Sequence, residues 1–231
     1  MAKNGYVVAA PEQISLPVAG AEQRFPVRRI YCVGRNYVAH VREMGGNEDR
    51  DPPIFFQKPT DAIVQDGATI AYATMTKDFH HEMELVVALK SGGYNIPESE
   101  ALGHIYGYGV GLDMTRRDIQ GGGRPWEIAK SFDQSCPCGA ITPVEKAGHI
   151  ASGNIKLTVN GQAKQDSDID LLIWKIPEII ANLSTYFELH AGDIILTGTP
   201  HGVGPVVAGD EIIGTIAGLE PLTVRIGAPV A

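Results

Sequence analysis

Three acidic residues sit where they could hold a hard cation together. The run FHHEMEL places Glu82 and Glu84 two positions apart, and on a strand positions i and i+2 share a face. Asp113 ends the glycine-laced apolar run GYGVGLDM, where a carboxylate is costly if buried and unpaired. Like charges held side by side repel unless a cation or a shared proton lies between them. If the three converge, their all-oxygen donor set suits Mg2+ or Mn2+, with positions left for water or substrate. Zinc suits it less, since its common ligands are nitrogen and sulfur. Spacing alone leaves the plainer alternative open, that Glu82 and Glu84 are the solvent face of an edge strand. Of the preceding His80 and His81, at most one can point with the carboxylates.

His40 and Glu43 stand at i and i+3. On a helix they share a face. A carboxylate that accepts from one imidazole nitrogen fixes the tautomer and makes the other nitrogen a better base for water. A solvated helix surface is the alternative. The continuation GGNEDRDPP is expected to be a mobile loop that could close over a bound substrate. The stretch DMTRRDIQ supplies Arg116, Arg117 and Gln120, IAKSFD supplies Lys130, and FQKP supplies Lys58. Some of these are expected to aim inward if the ligand is a carboxylate. LTGTPHGVG (196–204) could grip an anion through backbone N–H groups and the Thr199 hydroxyl. It lacks the Gly-Lys-Ser/Thr ending of a nucleotide loop, GYGVG lacks dinucleotide spacing, and Cys136-Pro137-Cys138 lacks redox spacing.

The elements that must carry these residues are mostly strands. The chain has 231 residues, 27 of them glycine and 15 proline, spread between short apolar runs, a pattern of short strands and tight turns. Strands are predicted at Arg29–Val33, Ile54–Gln57, Glu82–Leu89, Ile105–Asp113, Ile155–Val159, Asp193–Thr197, Glu211–Ile216 and Leu222–Ile226, with Asn160-Gly161 as a hairpin turn. Helices are predicted from about Tyr37 to Met44, from Pro97 to His104, and over Ile176–Leu189, where Ile176, Ile179, Ile180, Leu183 and Phe187 make one apolar face. The class is α+β and β-rich. Residues 1–26 read as an N-terminal extension and 27–231 as one domain. The net charge of -8, from 19 basic and 27 acidic residues, argues against nucleic acid and anionic membrane as partners. Three cysteines make no disulfide framework, and YVVAA is too short for a signal-peptide core, so a cytoplasmic setting is expected.

Taken in order, CVGRNYVAHVREMG (32–45), FFQKP (55–59), HHEMELVVAL (80–89), YGVGLDMTRRDIQ (108–120), PWEIAKSFD (125–133) and LTGTPHGVG (196–204) resemble the fumarylacetoacetate hydrolase family, in its short single-domain branch. The resemblance implies the fold of that family's C-terminal domain, a mixed β-sandwich roll with a few peripheral helices, in a homodimer. It implies Mg2+ or Mn2+ on Glu82, Glu84 and Asp113, a lid pair at His40 and Glu43, an active-site lysine at Lys130, and substrate contacts at Arg117, Gln120 and Thr199. Lys58 is a further substrate-binding candidate. One departure is visible: only GGGR separates Gln120 from Pro125, where relatives often carry a longer insert.

The implied substrate is a small anionic 2-oxo acid, cleaved at a C–C bond. Fumarylpyruvate, giving fumarate and pyruvate as in gentisate-type aromatic degradation, is the first expectation, with Arg116 or Arg117 meeting its far carboxylate. The alternatives are acylpyruvate hydrolysis, oxaloacetate decarboxylation, and isomerisation or decarboxylation of a 2-oxo diacid. A non-catalytic metal binder would not need His40, Glu43 and Lys130.

Overall fold

The structure, a computed structural model, describes residues 5–45, 51–121 and 125–229. Parts of GGNEDRDPP (46–50) and of GGGR (122–124) lie outside them. The described chain is β-rich with few helices, as the sequence predicts.

The largest sheet runs in the order Ile54–Lys58, Arg29–Gly34, Asp193–Leu196, Met83–Leu89, Ile105–Leu112, Cys136–Cys138, Ile63–Gln65, with Thr142–Pro143 also paired to Ile105–Leu112. It is mixed: Asp193–Leu196 lies parallel to Arg29–Gly34 and antiparallel to Met83–Leu89. A second sheet has the order Gln162–Asp168, Asn154–Val159, Glu211–Ile216, Leu222–Pro229, Thr69–Tyr72. A small third sheet joins Thr115–Arg116, Phe79–His81 and Gly204–Pro205.

Both faces of the central strand Met83–Leu89 are covered. Leu85, Val87 and Leu89 pack in one cluster with Ile155, Leu157, Ile212 and Val224 of the second sheet and Ile180 and Leu183 of a helix. Val86 and Ala88 pack on the other side with Ile30, Cys32, Ile194 and Leu16. A strand buried on both faces reads as a continuous apolar run, which is why MELVVAL shows no alternation. The edge-strand alternative for Glu84 fails here, because every residue of Met83–Leu89 is buried between two neighbouring strands.

The predicted strand Glu82–Leu89 begins instead at Met83. Phe79–His81 belongs to the small sheet, and the chain crosses into the large one at Glu82. The long helix covers Ile176–Tyr186 rather than reaching Leu189, because Phe187 is extended, with φ -134° and ψ 140°, and tilts its ring onto Tyr31. The region from Pro97 to His104 holds a short helix, Glu98–Ala101, continued by a tighter turn, Leu102–His104. Residues Ser15–Pro17 and Arg24–Pro26 form a two-stranded ribbon that buries Leu16 and Phe25 against the large sheet.

Among the described residues, no helix is long and apolar enough to cross a membrane.

Candidate active site

The crossing at Glu82 decides the site. Its backbone carbonyl accepts from the Asp113 N–H at 2.8 Å, which brings the ends of two strands together. One oxygen from each of Glu82, Glu84 and Asp113 lies within 4.8 Å of the others, and all three side chains are buried.

Glu82 and Asp113 share one cation. Lys130, at the end of the helix Trp126–Lys130, donates to Glu82 Oε2 at 2.7 Å and to Asp113 Oδ2 at 2.6 Å. Arg117 also donates to Glu82. Burial by itself would push the Glu82 carboxyl up, but Lys130 and Arg117 outweigh it and hold the group well below the usual range. Burial likewise opposes the Lys130 ammonium, yet Asp113 and Glu82 keep its pKa raised. Two of the three Lys130 donors face these carboxylates, which leaves a third.

Glu84 differs. Among the described residues it has no ammonium or guanidinium partner, and its Oε2 accepts from the Gly198 N–H at 2.7 Å. Burial, then Asp113 and Glu82, push its carboxyl well above the ordinary value. Gly198 can make this approach only as glycine. Its φ is +99°, and a Cβ would lie 2.6 Å from Asn36 Cβ. A buried carboxylate with no cation beside two others, in an all-oxygen set, is the environment a hard divalent ion satisfies. The residues present therefore fit Mg2+ or Mn2+.

The carboxylates open onto a cavity of about 370 Å³. His40, Arg117, Gln120, Lys130 and Thr199 line it, with Val33, Phe56, Met44 and Trp126 as its apolar wall. The helix Val38–Glu43 supplies His40, whose Nδ1 lies 3.2 Å from Glu43 Oε2. Glu43 in turn accepts from the Gly202 N–H at 3.0 Å, so the helix is tied to the 196–204 turn. Arg117 donates to Gln120 Oε1, which leaves the Gln120 NH2 free to donate into the cavity.

Lys58 is placed elsewhere. It is buried behind Asp113, with Nζ 2.8 Å from Oδ1, and it also donates to the Lys130 carbonyl. It does not line the cavity. It closes Ile54–Lys58, the edge strand of the large sheet, and its ammonium meets the metal-side carboxylate and not a ligand. Arg116 is likewise turned away, stacked on Phe132 at 4.3 Å and donating to the Ile128 carbonyl and Thr74 Oγ1.

Three residues that sequence reasoning passed over complete the site. Asn36 is buried, donates to the Trp174 and Thr197 carbonyls and accepts from the Trp174 N–H at 2.7 Å, so it fixes the turn before His40. Arg35 lines the cavity mouth in a left-handed conformation, φ +57°. Gln165 is the one fully buried position of the strand Gln162–Asp168. A large polar side chain inside a quoted motif could have pointed to Arg35 and Asn36; nothing in QAKQDSD marks Gln165.

Many known proteins are similar to this chain. Residues 29–227 match the family described as fumarylacetoacetate (FAA) hydrolase, C-terminal. A fumarylpyruvate hydrolase of Ralstonia sp is 47% identical over 178 residues, covering 75% of this chain and 92% of its own. A mitochondrial oxaloacetate tautomerase of Homo sapiens is 42% identical over 206 residues, covering 87% of this chain and 93% of its own. A crystal structure of fumarylpyruvate hydrolase from Pseudomonas aeruginosa, in complex with Mn2+ and pyruvate, superposes with a TM-score of 0.94 at 48% identity, over 96% of this chain and 99% of that one. The chain belongs to the fumarylacetoacetate hydrolase family.

Proposed function

We propose that the protein is a metal-dependent hydrolase that cleaves the C–C bond of a 2,4-dioxo acid, fumarylpyruvate first, to fumarate and pyruvate. The carrying observation is that one cavity brings together a three-carboxylate cation site, a buried ammonium bonded to two of those carboxylates, and a carboxylate-oriented imidazole. Charge supports the same reading. Glu82, Glu84 and Asp113 are balanced by Lys58, Lys130 and Arg117, so a bound divalent ion leaves the cluster positive by two and suited to a dianion. The bacterial fumarylpyruvate hydrolase relative and the solved neighbour with Mn2+ and pyruvate add weight.

When bound on Glu82, Glu84 and Asp113, Mg2+ or Mn2+ supplies Lewis acidity toward the substrate's carboxylate and 2-oxo oxygens and toward the enolate charge that develops there. His40, oriented by Glu43, takes a proton from water, and the water oxygen adds to C4. The third Lys130 donor and the Gln120 NH2 stabilise the oxyanion at that carbon. The oxyanion collapses, the C3–C4 bond breaks, and its electron pair leaves on C3 as the enolate of pyruvate. Protonated His40 returns its proton to C3, so the sum is substrate plus water to two acids.

Replacing His40 by Ala removes the base. Fumarylpyruvate cleavage, followed as fumarate and pyruvate by proton NMR, is expected to fall about 10²-fold or more. Any oxaloacetate decarboxylation falls far less, since that reaction uses no attacking water. Equal losses in both would argue against water activation by His40.

Arg35 is the cation for the far carboxylate. It lines the mouth and has no ion pair or hydrogen bond among the described residues, and a strained residue facing a ligand cavity is a mark of function. Arg35→Ala is expected to raise KM for fumarylpyruvate about tenfold, the loss of one charge-assisted contact. KM for acetylpyruvate, which ends in a methyl group, stays within twofold of wild type by the same estimate.

A second reading, interconversion of oxaloacetate tautomers, is favoured by the Homo sapiens relative. It uses the same enolate-stabilising cluster without C–C cleavage.

A further inference from the structure

The buried side chain of Gln165 joins both walls of the cavity. Its Oε1 accepts from the Met83 N–H at 3.0 Å, between the two carboxylates Glu82 and Glu84. Its Nε2 donates to the Pro200 carbonyl at 2.8 Å and to Thr199 Oγ1 at 2.9 Å. The amide orientation is fixed by these partners. Turned over, it would set N–H against the Met83 N–H and oxygen against the Pro200 carbonyl. His81 Nδ1, 3.3 Å from the same Oε1, must then carry the ring proton. That ring is neutral, burial having lowered its pKa to about 4.

Both Gln165 amide hydrogens are engaged, so Thr199 Oγ1 is an acceptor toward Gln165 and its own O–H must point elsewhere. Thr199 is buried and lines the cavity beside Glu82 and Glu84, and among the described residues no acceptor takes that hydrogen. We infer that Gln165 is a positioning residue that fixes Thr199 as a hydrogen-bond donor to the anionic oxygens of the ligand. The polarity runs one way, from the Met83 N–H through Gln165 and Thr199 to the ligand. An anion needs donors, and a threonine left to rotate presents a lone pair as readily as a hydrogen. The inference rests on the reading of the cavity as a 2-oxo acid site.

The sequence gives Gln165 no visible role. It lies on Gln162–Asp168, at the place where that strand's pairing with Asn154–Val159 shifts register between Leu157 and Thr158. The shift follows the 157–165 pairing and breaks the plain alternation of the hairpin.

The test uses Mn2+-loaded full-length protein and oxalate, a stable mimic of the pyruvate enolate, in calorimetric titrations. In Gln165→Glu the new carboxylate still accepts from Met83 but now also accepts from the Thr199 O–H, which reverses the chain. Oxalate binding is expected to weaken about tenfold or more, with no loss of Mn2+ affinity. Thr199→Val should weaken it equally, and the double variant no further, because one donor is lost in each. Simple repulsion by the new charge would instead add to the Thr199→Val loss. Gln165→Met, neutral and of similar volume, serves if the Glu variant does not fold, and should give a smaller loss that Thr199→Val again masks. Unchanged oxalate affinity in the Gln165 variants, or losses that add, would overturn the inference. Failure of the wild type to bind oxalate would overturn the 2-oxo acid reading and this inference with it, and is told apart by the unmutated control.

Discussion

Replacing Glu84 by Gln is expected to abolish metal-dependent activity, with kcat/KM down by about 10³-fold or more, while the protein stays folded. Glu84 is the carboxylate of the three that lacks a cationic partner among the described residues, so its charge serves chiefly the bound ion. Glutamine keeps the shape and an oxygen for the Gly198 N–H but gives up the charge. Mn2+ affinity by calorimetry should fall at least about 10²-fold. Stability of the metal-free protein should move the other way. A carboxyl whose folded pKa is raised above its unfolded value costs stability at every pH above that unfolded value. Near neutral pH, Glu84 is such a group. The metal-free Gln variant should therefore melt no lower than the metal-free wild type, and the stabilisation that Mn2+ gives the wild type should shrink.

Lys130→Met is expected to separate metal binding from catalysis. The ammonium contacts Glu82 and Asp113 at 2.7 and 2.6 Å and lies 5.4 Å over the Phe56 ring. It both neutralises two metal-side carboxylates and presents a donor to the cavity. Its loss should lower kcat by about 10³-fold, the scale of a removed oxyanion donor, with KM changed little. It should also tighten Mn2+ binding, because the cluster loses a positive charge that competes with the ion. Metal-free Lys130→Met should be less stable, since breaking a buried pair leaves a charge uncompensated, at about 3–5 kcal/mol. Added Mn2+ should recover much of that. Weaker Mn2+ binding together with lost activity would show Lys130 as a structural partner of the carboxylates alone.

Much of this arrangement was legible in the sequence for identifiable reasons. Short spacings carry geometry directly: Glu82 and Glu84 line one cavity, and His40, held by Glu43 three positions on, lines the same one. The helix over 176–186 follows from its 3.6-residue apolar period, and its end at Phe187 does not, because a side-chain contact with Tyr31 decides it. Strand burial was harder to read. MELVVAL has no alternation when both faces are covered, so sequence alone could not separate an interior Glu84 from an exposed one. The ribbon at residues 15–26 reads as a light extension, since three-residue strands carry no period, yet Leu16 is fully buried. Short strands such as Ile63–Gln65 and Cys136–Cys138 escaped for the same reason. Long-range partners were out of reach altogether. Lys58 reads as a substrate cation until its ammonium is found against Asp113, and Gln165 sits 34 positions from the threonine it holds.

The fate of fumarylpyruvate decides whether the cavity cleaves a 2,4-dioxo acid. Purified protein loaded with Mg2+ or Mn2+ is mixed with fumarylpyruvate, and the 2,4-dioxo absorbance is followed while fumarate and pyruvate are quantified. Rapid decay is expected, with the two acids formed in equal amounts, no decay after metal removal by a chelator, and recovery when the metal is restored. A fumarylpyruvate signal that does not decay, while the same metal-loaded protein speeds the enol-to-keto conversion of oxaloacetate, would rule out C–C hydrolysis in favour of tautomerisation.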